Sequence, residues 1–144
     1  MKLSLIFSSI VVLLTSVHAE LSVSYDTRYD DASQSLSTVA CSDGSNGLLT
    51  RGFSTFGSLP GFAKIGGGPA VLGYNSPNCG SCWELTWTNA QGVPKSIDIL
   101  LIDVASPNFN IAKAAMNELT DNQAESLGRV DVSAVQVPSS KCGL

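Results

Sequence analysis

The clearest alternation in the chain lies at residues 83–88. Trp83, Leu85 and Trp87 share one phase, and Glu84, Thr86 and Thr88 share the other. A period of two in aromatic and β-branched residues predicts a strand with one face on a core. Asn89-Ala90-Gln91-Gly92 then supplies a turn, and residues 96–104 predict a second strand. Its centre, Ile99 to Ile102, is apolar at every position, as expected of a strand buried on both faces. Residues 21–25 alternate as a short first strand, and residues 129–137 predict the last. In that last strand Val130 and Val132 are in one phase, but Val135 and Val137 are in the other. The change predicts a bulge or a switch between sheets.

Helical spacing occurs only between these strands. Asn110 has the chemistry of an N-cap for a helix over 111–120, with Ile111, Ala115 and Leu119 on one stripe. A shorter helical segment over 121–127 would be stopped by Gly128. Elsewhere Gly, Ser and Asn clusters punctuate short apolar runs. Residues 41–47 read as a turn, and Gly66-Gly67-Gly68-Pro69 as a break. That Gly run has no Lys-Ser/Thr ending, so it does not form a phosphate loop. The fold class expected is mostly β with some α: a small closed barrel with one or two short helices.

The N-terminus differs from the rest. Lys2 precedes an apolar stretch over 3–14, and Val17-His18-Ala19 has the small-residue ending that a signal peptidase reads. The apolar stretch is shorter than the roughly 20 residues of a spanning helix. A signal peptide over 1–19 and one domain over 20–144 are expected, hence a secreted, extracellular protein without membrane insertion. Loss of Lys2 leaves seven basic against twelve acidic residues, a net charge of −5. An acidic chain without a basic cluster argues against nucleic acid as a partner.

The single histidine, His18, falls in that leader. The expected mature chain therefore has no residue for a Ser-His-Asp triad, a Cys-His pair or a His-ligated metal. No cofactor is expected. Cys41, Cys79, Cys82 and Cys142 are the four cysteines. The C-x-x-C at 79–82 could be a redox dithiol, half of a zinc site, or two anchors of separate bridges. Redox cysteines sit at helix N-termini, whereas a strand pattern follows Cys82. Four cysteines in a secreted domain favour a disulfide framework with three possible pairings.

These pieces resemble the cerato-platanin family of small secreted fungal proteins. The matching strings are SVSYD (22–26), VACSDGSNGL (39–48), LPGF (59–62), GYNSPNCGSCW (73–83) and GRVDVSAVQV (128–137) before Cys142. The resemblance implies a six-stranded double-ψ β-barrel of expansin-like type, with bridges Cys41–Cys79 and Cys82–Cys142. It implies a secreted protein partly retained in the fungal cell wall, and a monomer is expected. Members bind chitin or N-acetylglucosamine oligomers, elicit plant defence, and in some cases loosen cellulose; for this chain a virulence-effector role and a plant receptor are expected with them. Several are surface-active.

Asp103 ends the apolar strand, where a carboxylate can reach a barrel rim. The resemblance places a family aspartate there, similar to the catalytic acid of related endoglucanases. An aspartate before Ser-Pro-Asn also closes turns. Glycosidases generally need two flanking carboxylates, and no second acid is paired with Asp103 by the sequence. Asp98 lies on the opposite face of the same strand. A catalytic role is therefore not expected, with Asp103 the one candidate. Sugar binding asks only for polar groups in a groove. Tyr25, Asp26, Ser42, Asp43, Asn46, Asp103, Asn108 and Asn110 are the candidate binding residues, in or beside the family strings. Trp83 and Trp87 are expected in the core, and Arg129 and Asp131 in a salt bridge or turn. The expected function is non-enzymatic carbohydrate binding. Its alternatives are expansin-like or weak endoglucanase-like activity, and an elicitor or surface-active protein without a sugar site.

Overall fold

The structure is a computed structural model that describes residues 20–144; the leader expected over 1–19 lies outside the described residues. Strands β1 (Leu21–Tyr25), β2 (Ile65–Gly68), β3 (Cys82–Thr88), β4 (Pro94–Val104), β5 (Phe109–Ile111) and β6 (Arg129–Val137) close into a barrel in the order β1-β5-β2-β4-β3-β6. Two short helices, α1 (Lys113–Leu119) and α2 (Ala124–Leu127), join β5 to β6. The barrel is mixed: β1 runs parallel to β5 and β2 parallel to β4, while the other pairings are antiparallel.

The core follows the strand phases. Ile99, Leu100, Leu101 and Ile102 are all fully buried, as the unbroken apolar run requires of a strand covered on both faces. Val23, Ile65, Leu85, Phe109 and Ile111 fill the interior, with Met116 and Leu119 of α1 packed beside them. Trp83 and Trp87 are partly buried and pack on this core. The Trp83 ring centroid lies 6.0 Å from that of Phe109.

Two local expectations are corrected, and a third is resolved. The Gly run is a strand: β2 is buried along its length and pairs with β4 on one side and β5 on the other. Its neighbours explain the composition. A Cβ on Gly66 would lie 2.4 Å from the Asn110 carbonyl oxygen, and one on Gly68 would lie 2.8 Å from Leu101 Cδ1 and Phe109 Cε1. Second, Asn110 is not a helix cap. It lies in β5, and α1 begins at Lys113 after Ala112, which has no capping side chain. Asp30 caps instead, its Oδ2 accepting from Lys113 N and its Oδ1 from Ala114 N, each at 2.8 Å. A carboxylate at a helix start meets both the unpaired N–H groups and the positive end of the dipole. Third, of the bulge or switch expected in β6, a change of partner strand is found and no register break. Residues 129–132 pair with β1 and residues 133–137 with β3, and Val135 is simply solvent-exposed.

Disulfides join Cys41 to Cys79 and Cys82 to Cys142. The C-x-x-C therefore serves two bridges. One ties the 41–47 loop to the turn that precedes β3, and the other ties β3 to the C-terminal turn (Ser139–Cys142).

Candidate functional site

A transverse row of outward-facing residues crosses five adjacent strands. Gly67 of β2 is the register partner of Asp103 on one side and of Asn110 on the other. Asn110 pairs with Ser24 of β1, and Ser24 pairs with Arg129 of β6. Register partners put their side chains on the same face of a sheet. Between Gly66 and Gly67 the β2–β4 register shifts by one residue, which is what brings Asp103 into the row. Gly67 carries no side chain because the chain leaving β4 crosses over it. A Cβ there would lie 2.7 Å from Val104 O and 3.0 Å from Ala105 Cβ.

Asp103 anchors one end of the row, mostly covered at 17% side-chain exposure. Its Oδ1 accepts from Ala40 N at 3.0 Å and from its neighbour Val104 N at 2.9 Å. Its Oδ2 accepts from the Tyr29 hydroxyl at 3.1 Å and from Arg28 Nη2 at 3.3 Å. Four donors on two oxygens make Asp103 a clamp that joins β4 to the chain before Cys41 and to the 3-10 turn Thr27–Asp30. Tyr29 stacks on Phe56 with centroids 6.1 Å apart. Burial, then the Asp103 carboxylate beside it, push the Tyr29 phenol well above its ordinary range. Tyr29 is thus a fixed proton donor to Asp103.

The other end of the row opens as a shallow cleft of about 290 Å³, lined by Ser24, residues 104–110 and Arg129. Arg129 donates from Nη1 to Ser22 Oγ at 2.8 Å and from Nη2 to Ser24 Oγ at 3.1 Å. Ser24 Oγ in turn donates to Asn110 Oδ1 at 3.1 Å, and Asn108 Oδ1 accepts from Ser22 N at 3.1 Å. Of the salt bridge or turn role expected for Arg129, no ion pair is formed among the described residues, and the residue opens β6.

The remaining candidates fall into two further settings. Asp26 caps the 3-10 turn by accepting from Arg28 N at 2.9 Å, and so borders the Asp103 clamp. Tyr25, at the end of β1, is half-buried against the core with Lys113 Nζ 5.9 Å from its ring centroid. Ser42, Asp43 and Asn46 belong to a loop braced by residues 74–75. Asn46 N donates to Asn75 Oδ1 at 2.9 Å, and Asn46 Nδ2 donates to Asn75 O at 3.0 Å. The Asp43 carboxylate beside Tyr74 raises its phenol above the ordinary value. The Ser42 carbonyl accepts from Leu49 N at 2.9 Å. The structure thus brings Asp103 with Asp26, and Asn108 with Asn110. It holds Ser42, Asp43 and Asn46 by separate contacts.

The sequence reading did not include Arg28, Tyr29 or Ser24, and gave Arg129 no binding role. For Ser24 a signal existed: Ser22 and Ser24 flank Val23 on the polar phase of β1, and a run of hydroxyls on one strand face invites a cross-strand partner. For Arg28 and Tyr29 none existed, since their partner lies 75 and 74 residues away.

The family model "Cerato-platanin" matches residues 21–144. The chain is 45% identical to a heat-stable 19 kDa antigen of Coccidioides immitis over 99% of its own length and 96% of that protein's. It is 39% identical to cerato-platanin of Ceratocystis fimbriata f. sp. platani over 93% and 94%. It is 52% identical to an Asp f 15 allergen homolog of Arthroderma benhamiae, covering 89% of this chain but only 60% of that longer protein. Among solved structures, cerato-platanin 1 of M. perniciosa superposes with a TM-score of 0.82 at 49% identity, over 86% of this chain and 99% of that one. The solution structure of the fungal elicitor cerato-platanin gives 0.73 at 41% identity, over 85% and 96%. With the same barrel, two bridges and matching strings along the whole described length, this chain belongs to the cerato-platanin family.

Proposed function

We propose that the chain is a secreted, non-enzymatic carbohydrate-binding protein. It binds chitin-type N-acetylglucosamine oligomers across the Asp103–Arg129 row, in the fungal wall and as an elicitor of plant defence. One observation carries this reading: Asp103, Asn110, Ser24 and Arg129 lie in one row across a closed barrel, with Gly67 of β2 between the first two, beside an open polar cleft. Sugar hydroxyls and amides are recognised by such pre-positioned hydrogen-bonding groups. Asp103 supports binding over hydrolysis, because it is surrounded by donors including a guanidinium and serves as an acceptor. A glycosidase acid must instead hold a proton to give to the leaving oxygen.

Titration of the folded protein with chitotetraose, followed by amide NMR, tests the reading. Shifts should cluster at Ser24, Asp103, Asn108, Asn110 and Arg129. Their absence at about 10 mM sugar, a concentration that reveals even millimolar affinities, would refute it. The enzyme alternative is tested separately by reducing-end release from soluble glucan, which should be undetectable in the wild type. A second reading, a surface-active elicitor without a sugar site, is favoured by Leu72 and Tyr74, which are 86% and 64% exposed on one loop. Defence responses that survive loss of the row but not Leu72→Ser would favour it.

A further inference from the structure

We propose that the cleft at the Arg129 end selects saccharides that carry a carboxylate, such as uronic-acid units, with Arg129 as the group that reads the charge. The proposal rests on the reading of the row as a sugar site and names the chemical class its far end takes. The cleft is lined by Ser24, residues 104–110 and Arg129, and among these only Arg129 is charged. The whole chain has a net charge of −4, yet this cleft carries a cation and no carboxylate. Among the described residues no carboxylate lies within ion-pair distance of this guanidinium. Asp131, two positions along β6, sits opposite Ser22 and lines a different cleft with Glu20, Thr86 and Ser133.

The hydrogen-bond directions sharpen the chemistry. Arg129 donates to both serine hydroxyls, so Ser24 passes its own proton to Asn110 Oδ1. Ser22 N is an obligatory donor and holds Asn108 by its Oδ1. Both asparagines therefore have their oxygens occupied and their Nδ2 groups without a protein acceptor among the described residues. Arg129 has five N–H groups and no acceptor, of which these serines use two. The cleft is consequently rich in donors, and its complement is a ligand rich in acceptors with negative charge. Guanidinium and carboxylate match as a two-point fork. A volume of about 290 Å³ lies near the lower end for small-molecule sites, about 300 Å³, which suits one sugar unit at a time.

The test compares trigalacturonate, its methyl ester and chitotriose on the folded protein by amide NMR. The free acid should bind about tenfold more tightly than the ester at low salt, as a charge-assisted hydrogen bond allows, and the gap should narrow with added salt. The shifts should include Ser24, Asn108, Asn110 and Arg129. Arg129→Gln should erase the acid-over-ester preference and Arg129→Lys should keep part of it, with melting curves recorded for both. Equal binding of acid and ester, or a preference that survives Arg129→Gln, overturns the proposal. If Arg129→Gln does not fold, the wild-type comparison decides, and acid-induced shifts that spare the cleft also overturn it. Chitotriose binding without acid binding removes this proposal and leaves the chitin reading standing. Acid binding without chitotriose binding does the reverse, and binding of neither removes both.

Discussion

Tyr29 donates a hydroxyl hydrogen bond to Asp103 across 74 residues of sequence, at 3.1 Å. The bond closes the 3-10 turn after β1 onto the end of β4. Tyr29→Phe removes one donor and should cost about 1–2 kcal/mol. Asp103→Ala strands Ala40 N, Val104 N and the Tyr29 hydroxyl together, and should cost about 3 kcal/mol. Because the two residues share one bond, the double mutant should cost less than the sum, with a coupling of about 1 kcal/mol. Urea unfolding of the four proteins measures this. Strict additivity would show that the contact contributes nothing.

The same pair sets an alkaline limit. Burial and Asp103 raise the folded Tyr29 phenol above its ordinary value of 10.0. The unfolded chain ionises near that ordinary value while the folded chain resists. The associated stability is fully present below about pH 10 and declines as pH rises from there toward the raised folded value. Tyr29→Phe should therefore flatten the loss of stability above about pH 10. Denaturation midpoints at pH 8 to 11 check this, and parallel losses in wild type and variant would refute it.

Gly66 is required for the barrel, and Gly73 is not. A Gly66 Cβ would meet backbone, Asn110 O at 2.4 Å and Ile111 Cα at 2.7 Å, whereas nothing lies within 4 Å of one on Gly73. Gly66→Ala should lose about 3 kcal/mol or fail to fold, since backbone in a paired strand cannot give way. Gly73→Ala should stay within about 0.5 kcal/mol of wild type. Melting temperatures of the two variants are the measurement.

Asp98 and Glu84 are direct partners across β3 and β4. Like charges facing each other on neighbouring strands are destabilising, and Asp98 Oδ1 is buried without a hydrogen-bond partner. Asp98→Asn keeps the shape and removes one charge. It should stabilise the protein by about 0.5 kcal/mol, within the usual size of cross-strand pairs. The gain should shrink as salt screens the wild-type repulsion. A loss of stability would mean that the charge is compensated.

How far the residues speak for themselves differs from element to element. Strands β1, β3 and β4 were legible because side-chain alternation and apolar runs are local properties of the chain. So was the stop at Gly128, which takes a positive φ of 67° as helix C-termini favour. Asp103 could be singled out by its place after Ile102, but not its four donors, which come from three separate segments.

The sequence by itself determined the strand-rich barrel class, the buried centre of β4, the four-cysteine framework and the family. Each of these is written in periodicity, residue type or a contiguous string. Only the tertiary structure decided that three glycines form a strand, that Asp30 rather than Asn110 starts α1, and that Asp103 and Arg129 stand on one row. The reason is common to all three. A glycine's neighbours, a cap's donor groups and a cross-strand partner are set by chain crossings dozens of residues apart, and no local pattern records which segments will meet.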